Sequence, residues 1–313
     1  MGWPGWGALL TTWQPSWWVD ALVAVAAIAY GVGVRRAART EVRWPPARTA
    51  AFAAALVGLL VTFDSGIAVY SHPSFGVHMV MHLMLIMVVP ALWVAGGPAE
   101  LVRFVGPPRV RAALESFNAS RVGRGLFHPA TVLVVYGLVV VLTHLTGFMQ
   151  AMADNMALHH LEQALYLGAG LLFFATALGA DATPSRPSFL GRFALMMLAM
   201  GVDTLVGLVL LLSPRSPFPA YELTDVRIGG ALMWAGGDAL MMLVIVVLAR
   251  WWVRSSGRGP ELGPWLESVR REALGLGTGP GPGRGEPEDG VDDDEESLAA
   301  YNRMLARLHD RER

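Results

Sequence analysis

The chain has 313 residues, of which 54% are hydrophobic and only 16% charged, with 11 tryptophans and a mean hydropathy of +0.45. A water-soluble chain of this size carries more charge, so composition alone argues for a membrane protein. The formal net charge of −1 excludes little, because acids and bases are segregated along the sequence, but there is no lysine and no cysteine. Disulfides and thiolate metal sites are thereby excluded, as is a retinal Schiff base.

The N-terminal stretch Met1–Asp20 lacks a basic n-region and a long apolar run, and is expected not to be a cleaved signal. Its tryptophans Trp3, Trp6, Trp13, Trp17 and Trp18 read as an interfacial belt. Apolar runs long enough to cross a bilayer then follow at Trp17–Val34, Ala50–Tyr70, Val77–Ala95, Pro129–Phe148, Ala157–Gly179, Phe189–Leu212 and Ile228–Val253. The predicted fold is therefore all-α, a polytopic bundle of seven transmembrane helices over residues 1–256.

Arginine orients the bundle. The first connection carries Arg35, Arg36, Arg39, Arg43 and Arg48, the third Arg103, Arg109, Arg111, Arg121 and Arg124, and the fifth Arg186 and Arg192. Arg250, Arg254 and Arg258 begin the tail, whereas connections Ser71–Gly76 and Met149–Met156 have none. In the sixth, Glu222 and Asp225 offset Arg215 and Arg227. The positive-inside rule places the N-terminus outside and the C-terminus in the cytoplasm of a cell inner (plasma) membrane.

In this orientation His78, His82, His144, His159 and His160 all fall at the outer ends of three helices. Histidines at membrane depth are costly, and their convergence without a nearby arginine points to a cation. His78 and His82 are an i, i+4 pair, which puts two imidazoles on one helical face with Cβ atoms about 5–6 Å apart, within reach of one metal ion. Glu162 stands at i+3 from His159. Met79, Met81 and Met84 flank the first pair, and Met149, Met152 and Met156 lie beyond His144. Imidazole and thioether together suit copper, so the expected ligands are His78, Met79, His82, His144, His159 and His160. Asp64, Glu162, Asp203 and Asp238 are supporting carboxylates; Asp20 also lies in an apolar run. For each aspartate, interhelical hydrogen bonding is an equal alternative. The remaining methionines read as packing. Pro90 is expected to kink the third run, which Gly96-Gly97-Pro98 ends.

Three blocks carry a resemblance. His78-Met79-Val80-Met81-His82-Leu83 with Pro90 and Gly96-Gly97-Pro98, then His159-His160-Leu161-Glu162-Gln163 with Tyr166 and Gly170, then Asp225-Val226-Arg227-Ile228-Gly229-Gly230 with Trp234, resemble the CtaG family of cytochrome c oxidase assembly factors. The likeness covers about Leu60 to Trp252. It implies a non-enzymatic role in which copper is delivered to the oxidase subunit carrying the copper site. Gln163 and Val226 depart from the pattern, so the fifth span gives either one ligand or two, the second then being His160.

Residues 257–313 change character. Gly257–Gly290 is rich in glycine and proline, Glu286–Glu296 is acidic, and Ser297–Arg313 has apolar residues at helical spacing, so a disordered cytoplasmic tail ending in a short amphipathic helix is expected. Two other functions fit parts of the pattern: a bis-histidine haem b electron carrier, and a cation or proton transporter using the buried aspartates. No nucleotide-binding loop, hydrolytic triad or basic aromatic surface for nucleic acid is legible. The surrounding partner is membrane lipid.

Overall fold

Each predicted apolar run is helical in the computed structural model, which describes residues 4–40, 43–153, 155–179, 182–185 and 187–256. The expected linker and terminal helix of the tail lie outside these residues. In chain order the helices are α1 Trp6–Thr11, α2 Trp17–Ala37, α3 Pro46–Asp64, α4 Gly66–Ser71, α5 Phe75–Leu83, α6 Val89–Gly96, α7 Pro98–Val105, α8 Pro108–Ala119, α9 Arg121–Leu126, α10 Pro129–Leu145, α11 Phe148–Ala153, α12 Met156–Ala177, α13 Phe189–Leu211, α14 Leu223–Ala231 and α15 Gly237–Ser256. Wide π-helical turns at Met84–Val88 and Leu232–Gly236 join α5 to α6 and α14 to α15.

Five helical stretches are long and apolar enough to cross a membrane: Trp17–Ala37, Pro46–Asp64, Phe75–Val105, Phe189–Leu211 and Leu223–Arg250. The other two predicted spans also form helices. Helix α10 is apolar but has 17 residues, and α12 has 22 residues whose first turns carry His159, His160, Glu162 and Gln163. Side chains such as Leu22, Val25 and Ile28 on α2, Leu138 and Leu142 on α10, Leu198 and Leu205 on α13, and Leu243 and Val247 on α15 are exposed. Apolar exposure repeated along successive long helices is what a lipid-facing surface requires.

The second predicted span is shorter than its apolar run. The backbone turns extended at Ser65 (φ −85°, ψ −177°), and the Ser65 hydroxyl accepts from the Ile67 amide to start α4. The break serves the N-terminal segment: Gln14 N–H donates to the Asp64 carbonyl at 2.7 Å, and Ser16 N–H to the Asp64 carboxylate at 2.8 Å.

Pro90 follows a π-helical turn. The π turn before it moves the Val89 amide onto the Met84 carbonyl, so the helix passes through the proline with its bonds re-registered. The wide turn presents the Ile86 carbonyl to α12, where a Cβ on Gly170 would overlap it. The Gly-Gly-Pro sequence is a corner, because Gly97 takes φ 63° and Pro98 opens α7.

The main core packs Phe75, Met79, Met81, Leu85, Tyr136, Tyr166, Phe173, Met196, Val206 and Leu210 between α5, α10, α12 and α13. A smaller one joins α2, α3 and α7 through Tyr30, Phe52 and Leu101, with Tyr30 stacked on Phe52 at 4.0 Å. The unit Met1–Leu248 contains both cores; of the second unit, Ala249–Arg313, the described part is helical backbone as far as Ser256.

Candidate metal centre

The site is built from the N-terminal end of α5. Asp225, in the first turn of α14, accepts the Phe75 amide at 2.7 Å, the Gly76 amide at 3.0 Å and the Ser74 hydroxyl at 3.1 Å. One carboxylate thus satisfies donors that the first turn of α5 leaves free, and the charge favours that end of the helix dipole. The two helices can meet so closely because a Cβ on Gly229 would overlap the Phe75 ring and lie 3.0 Å from Met79. This fixes where α5 aims its side chains.

His78 and His82 point away from α14, toward α12. Their rings lie 4.2 Å apart, and Glu162 sits between them, Oε2 3.2 Å from His78 Nε2 and Oε1 3.5 Å from His82 Nε2. All three are buried. Among the described residues, His78, His82 and Glu162 form the one group of three metal-ligating side chains whose donor atoms lie within 4.8 Å of one another.

Two more histidines flank this group on opposite sides. The His144 ring is 5.2 Å from His82, and the His159 ring is 5.6 Å from His78. His144 Nδ1 lies 3.0 Å from the Val140 carbonyl, which assigns the proton to Nδ1 and leaves the Nε2 lone pair free. The Tyr166 hydroxyl bonds Thr143 at 2.8 Å and stands 3.2 Å from the same Nδ1, while its ring stacks on His82 at 3.8 Å. A Nδ1–H held by a carbonyl is how a metal-binding imidazole is oriented.

Nδ1 of His78, Nδ1 of His82 and Nε2 of His144 are buried without a hydrogen-bond partner, while the Nε2 atoms of His78 and His82 have only the Glu162 oxygens facing them. Each such atom costs about 1–3 kcal/mol when left unsatisfied. An ion bound among them would offset that cost. Two imidazoles and a carboxylate, with a third imidazole beside them, fit a divalent ion such as copper(II) or zinc.

Other residues expected at the site have different surroundings. Met79 packs against Gly229, on the α14 side of α5. The sulfur of Met81 accepts from Gln163 Nε2 at 3.4 Å, and that of Met152 lies 3.0 Å from His159 Nδ1. His160 is exposed; its ring meets Trp18 edge-on at 5.9 Å, and its Nδ1 lies 3.2 Å from Gln163 Oε1. The pair borders a cavity of about 270 Å³ between α2 and α12. Asp64 holds the N-terminal segment, Asp203 accepts from the Tyr136 hydroxyl at 2.7 Å, and Asp238 accepts from Thr204 at 3.0 Å. These aspartates therefore have the interhelical bonds that the sequence left as their alternative.

Sequence reasoning missed His72. This exposed residue, in the short connection before α5, has its ring 6.0 Å from that of His159. Tyr166 and Asp225 were visible as motif members, without the roles they have here.

The model of the cytochrome c oxidase caa3 assembly factor family (Caa3_CtaG) matches residues 28–255. Uncharacterized proteins of Mycobacterium bovis and Mycobacterium tuberculosis are each 28% identical over 268 residues, 80% of this chain and 40% of their own length. An uncharacterized protein of Mycobacterium leprae is 29% identical over 267 residues, 77% of this chain and 40% of its own. The chain thus spans about two fifths of the curated relatives it matches. No solved structure matches it.

Proposed function

Since the chain belongs to the family of cytochrome c oxidase caa3 assembly factors, we propose that it binds copper between α5 and α12 and delivers it to the oxidase subunit that carries copper. The single observation that supports this most is the buried group of His78, His82 and Glu162, whose ligand atoms lie within 4.8 Å of one another with the free Nε2 of His144 beside them. In this reading all seven predicted spans cross the plasma membrane, α10 and α12 together with the five longer apolar stretches, with the N-terminus outside and the histidines open toward the outer face. Their arginine-poor connections support that orientation.

His78, His82 and Glu162 would hold the ion, His144 would complete its coordination, and copper is the cargo. The affinity order of divalent metals favours copper(II) over zinc at an imidazole-rich site. The carboxylate supplies negative charge where the surroundings are apolar, so a cation is held without a counter-ion from the chain. A haem between histidines is poorly accommodated, because Glu162 occupies the space between His78 and His82, and Tyr166 covers one face of the His82 ring.

The test is physiological. In a deletion strain grown with copper limiting, the oxidase should lose activity and copper together, and excess copper in the medium should restore part of both by mass action. An oxidase with normal activity and full copper content in that strain would overturn the assignment.

A further inference from the structure

We infer that His72, His159 and Met152 form a receiving site for the metal ion, from which it passes to His78, His82 and Glu162; the inference rests on the copper reading above. Four imidazoles lie in a row that runs from the exposed surface into the buried site. His72 is exposed, His159 is 5% exposed and His78 is fully buried, with His82 behind it at 4%. Successive ring centroids are 6.0, 5.6 and 4.2 Å apart.

Those spacings have a chemical meaning. A metal–nitrogen bond of about 2.0–2.1 Å, added to the radius of the imidazole ring, puts an ion about 3 Å from each centroid. Two rings within about 6 Å can therefore share one ion. Each step is then an exchange of ligands: the bond to the next imidazole forms as the bond to the previous one breaks, with no electron transferred. A closed site with Nε2 atoms facing inward needs such a route.

The row begins at a soft station and ends at a hard one. Met152 Sδ, fully buried, lies 3.0 Å from His159 Nδ1, so a thioether and two imidazoles meet at the outer end. The inner end has the Glu162 carboxylate. A thioether beside imidazoles suits copper, and it selects against zinc and magnesium at the first contact.

His72 is also held in place. The Tyr221 hydroxyl donates to its carbonyl at 3.2 Å, and the Tyr221 ring packs edge-on against Phe75 at 5.4 Å. The connection between α13 and α14 thus positions a residue that makes no contribution to a core.

The experiment follows loading of the purified full-length protein in detergent, using copper(II) presented as a coloured chelate whose absorbance falls on transfer. His72→Ala should reach the same final copper content as the unaltered protein, at a rate lower by roughly tenfold, the size expected for losing an auxiliary ligand interaction. His72→Met, which restores a donor, should recover most of the rate. An unchanged rate in His72→Ala would overturn the receiving role. A lower final content would overturn it too, by making His72 a ligand of the inner site. If the unaltered protein takes up no copper, the copper reading itself falls, and this inference with it.

Discussion

Glu162 is the residue on which the centre turns, because each of its oxygens faces a different histidine of α5. Glu162→Gln keeps the shape and removes the charge. Copper affinity should fall by roughly 10–100-fold in a competition titration, with insertion into the membrane unchanged. Tyr166→Phe provides the contrast. It deletes hydroxyl contacts to Thr143 and His144 but keeps the ring over His82, so it should cost about 1 kcal/mol in thermal or denaturant unfolding while copper content stays full. Much at this scale was legible in the sequence. The i, i+4 spacing put His78 and His82 on one face, and the neighbouring helix ends pointed to His144, His159 and Glu162. What spacing could not convey is rotation about the helix axis. Met79 is one residue from His78 and His160 one from His159, and each step of about 100° turns its side chain elsewhere. His72 was invisible for another reason, since a lone histidine in a short connection has no pattern.

Between elements, the contact of α14 with α5 does the positioning. Asp225→Ala would leave the Phe75 and Gly76 amides and the Ser74 hydroxyl unsatisfied in a buried place. We expect a loss of roughly 2–3 kcal/mol in unfolding measurements, near the upper range for charged hydrogen bonds, and weaker copper binding because α5 shifts. Gly229→Ala tests the same contact by volume. Its new methyl meets the Phe75 ring, so copper affinity should fall although no ligand has changed, as a titration beside Glu162→Gln would measure. The helices were legible because long apolar runs leave few other structures available in a membrane. Their interruptions were less so: Pro90 marked one in the third run but not its form. At Ser65 the apolar run breaks where Asp64 holds the N-terminal segment, and the wide turn before Pro90 packs closely on Gly170 of α12, both of which are tertiary facts.

For the whole molecule, the arginine asymmetry predicts that a reporter fused at the C-terminus is active in the cytoplasm and silent outside; activity only on the outer side would invert the bundle. The same orientation separates the tail from the histidines, so removing residues 257–313 should spare copper binding. The central claim is that a copper ion is held by His78, His82 and Glu162, and metal analysis of the detergent-purified protein tests it most directly. The unaltered chain should carry stoichiometric copper, with little zinc, and the double variant His78→Ala/His82→Ala should insert normally and carry none. Copper retained in the double variant at the level of the unaltered protein, or zinc in its place in both, would contradict the account.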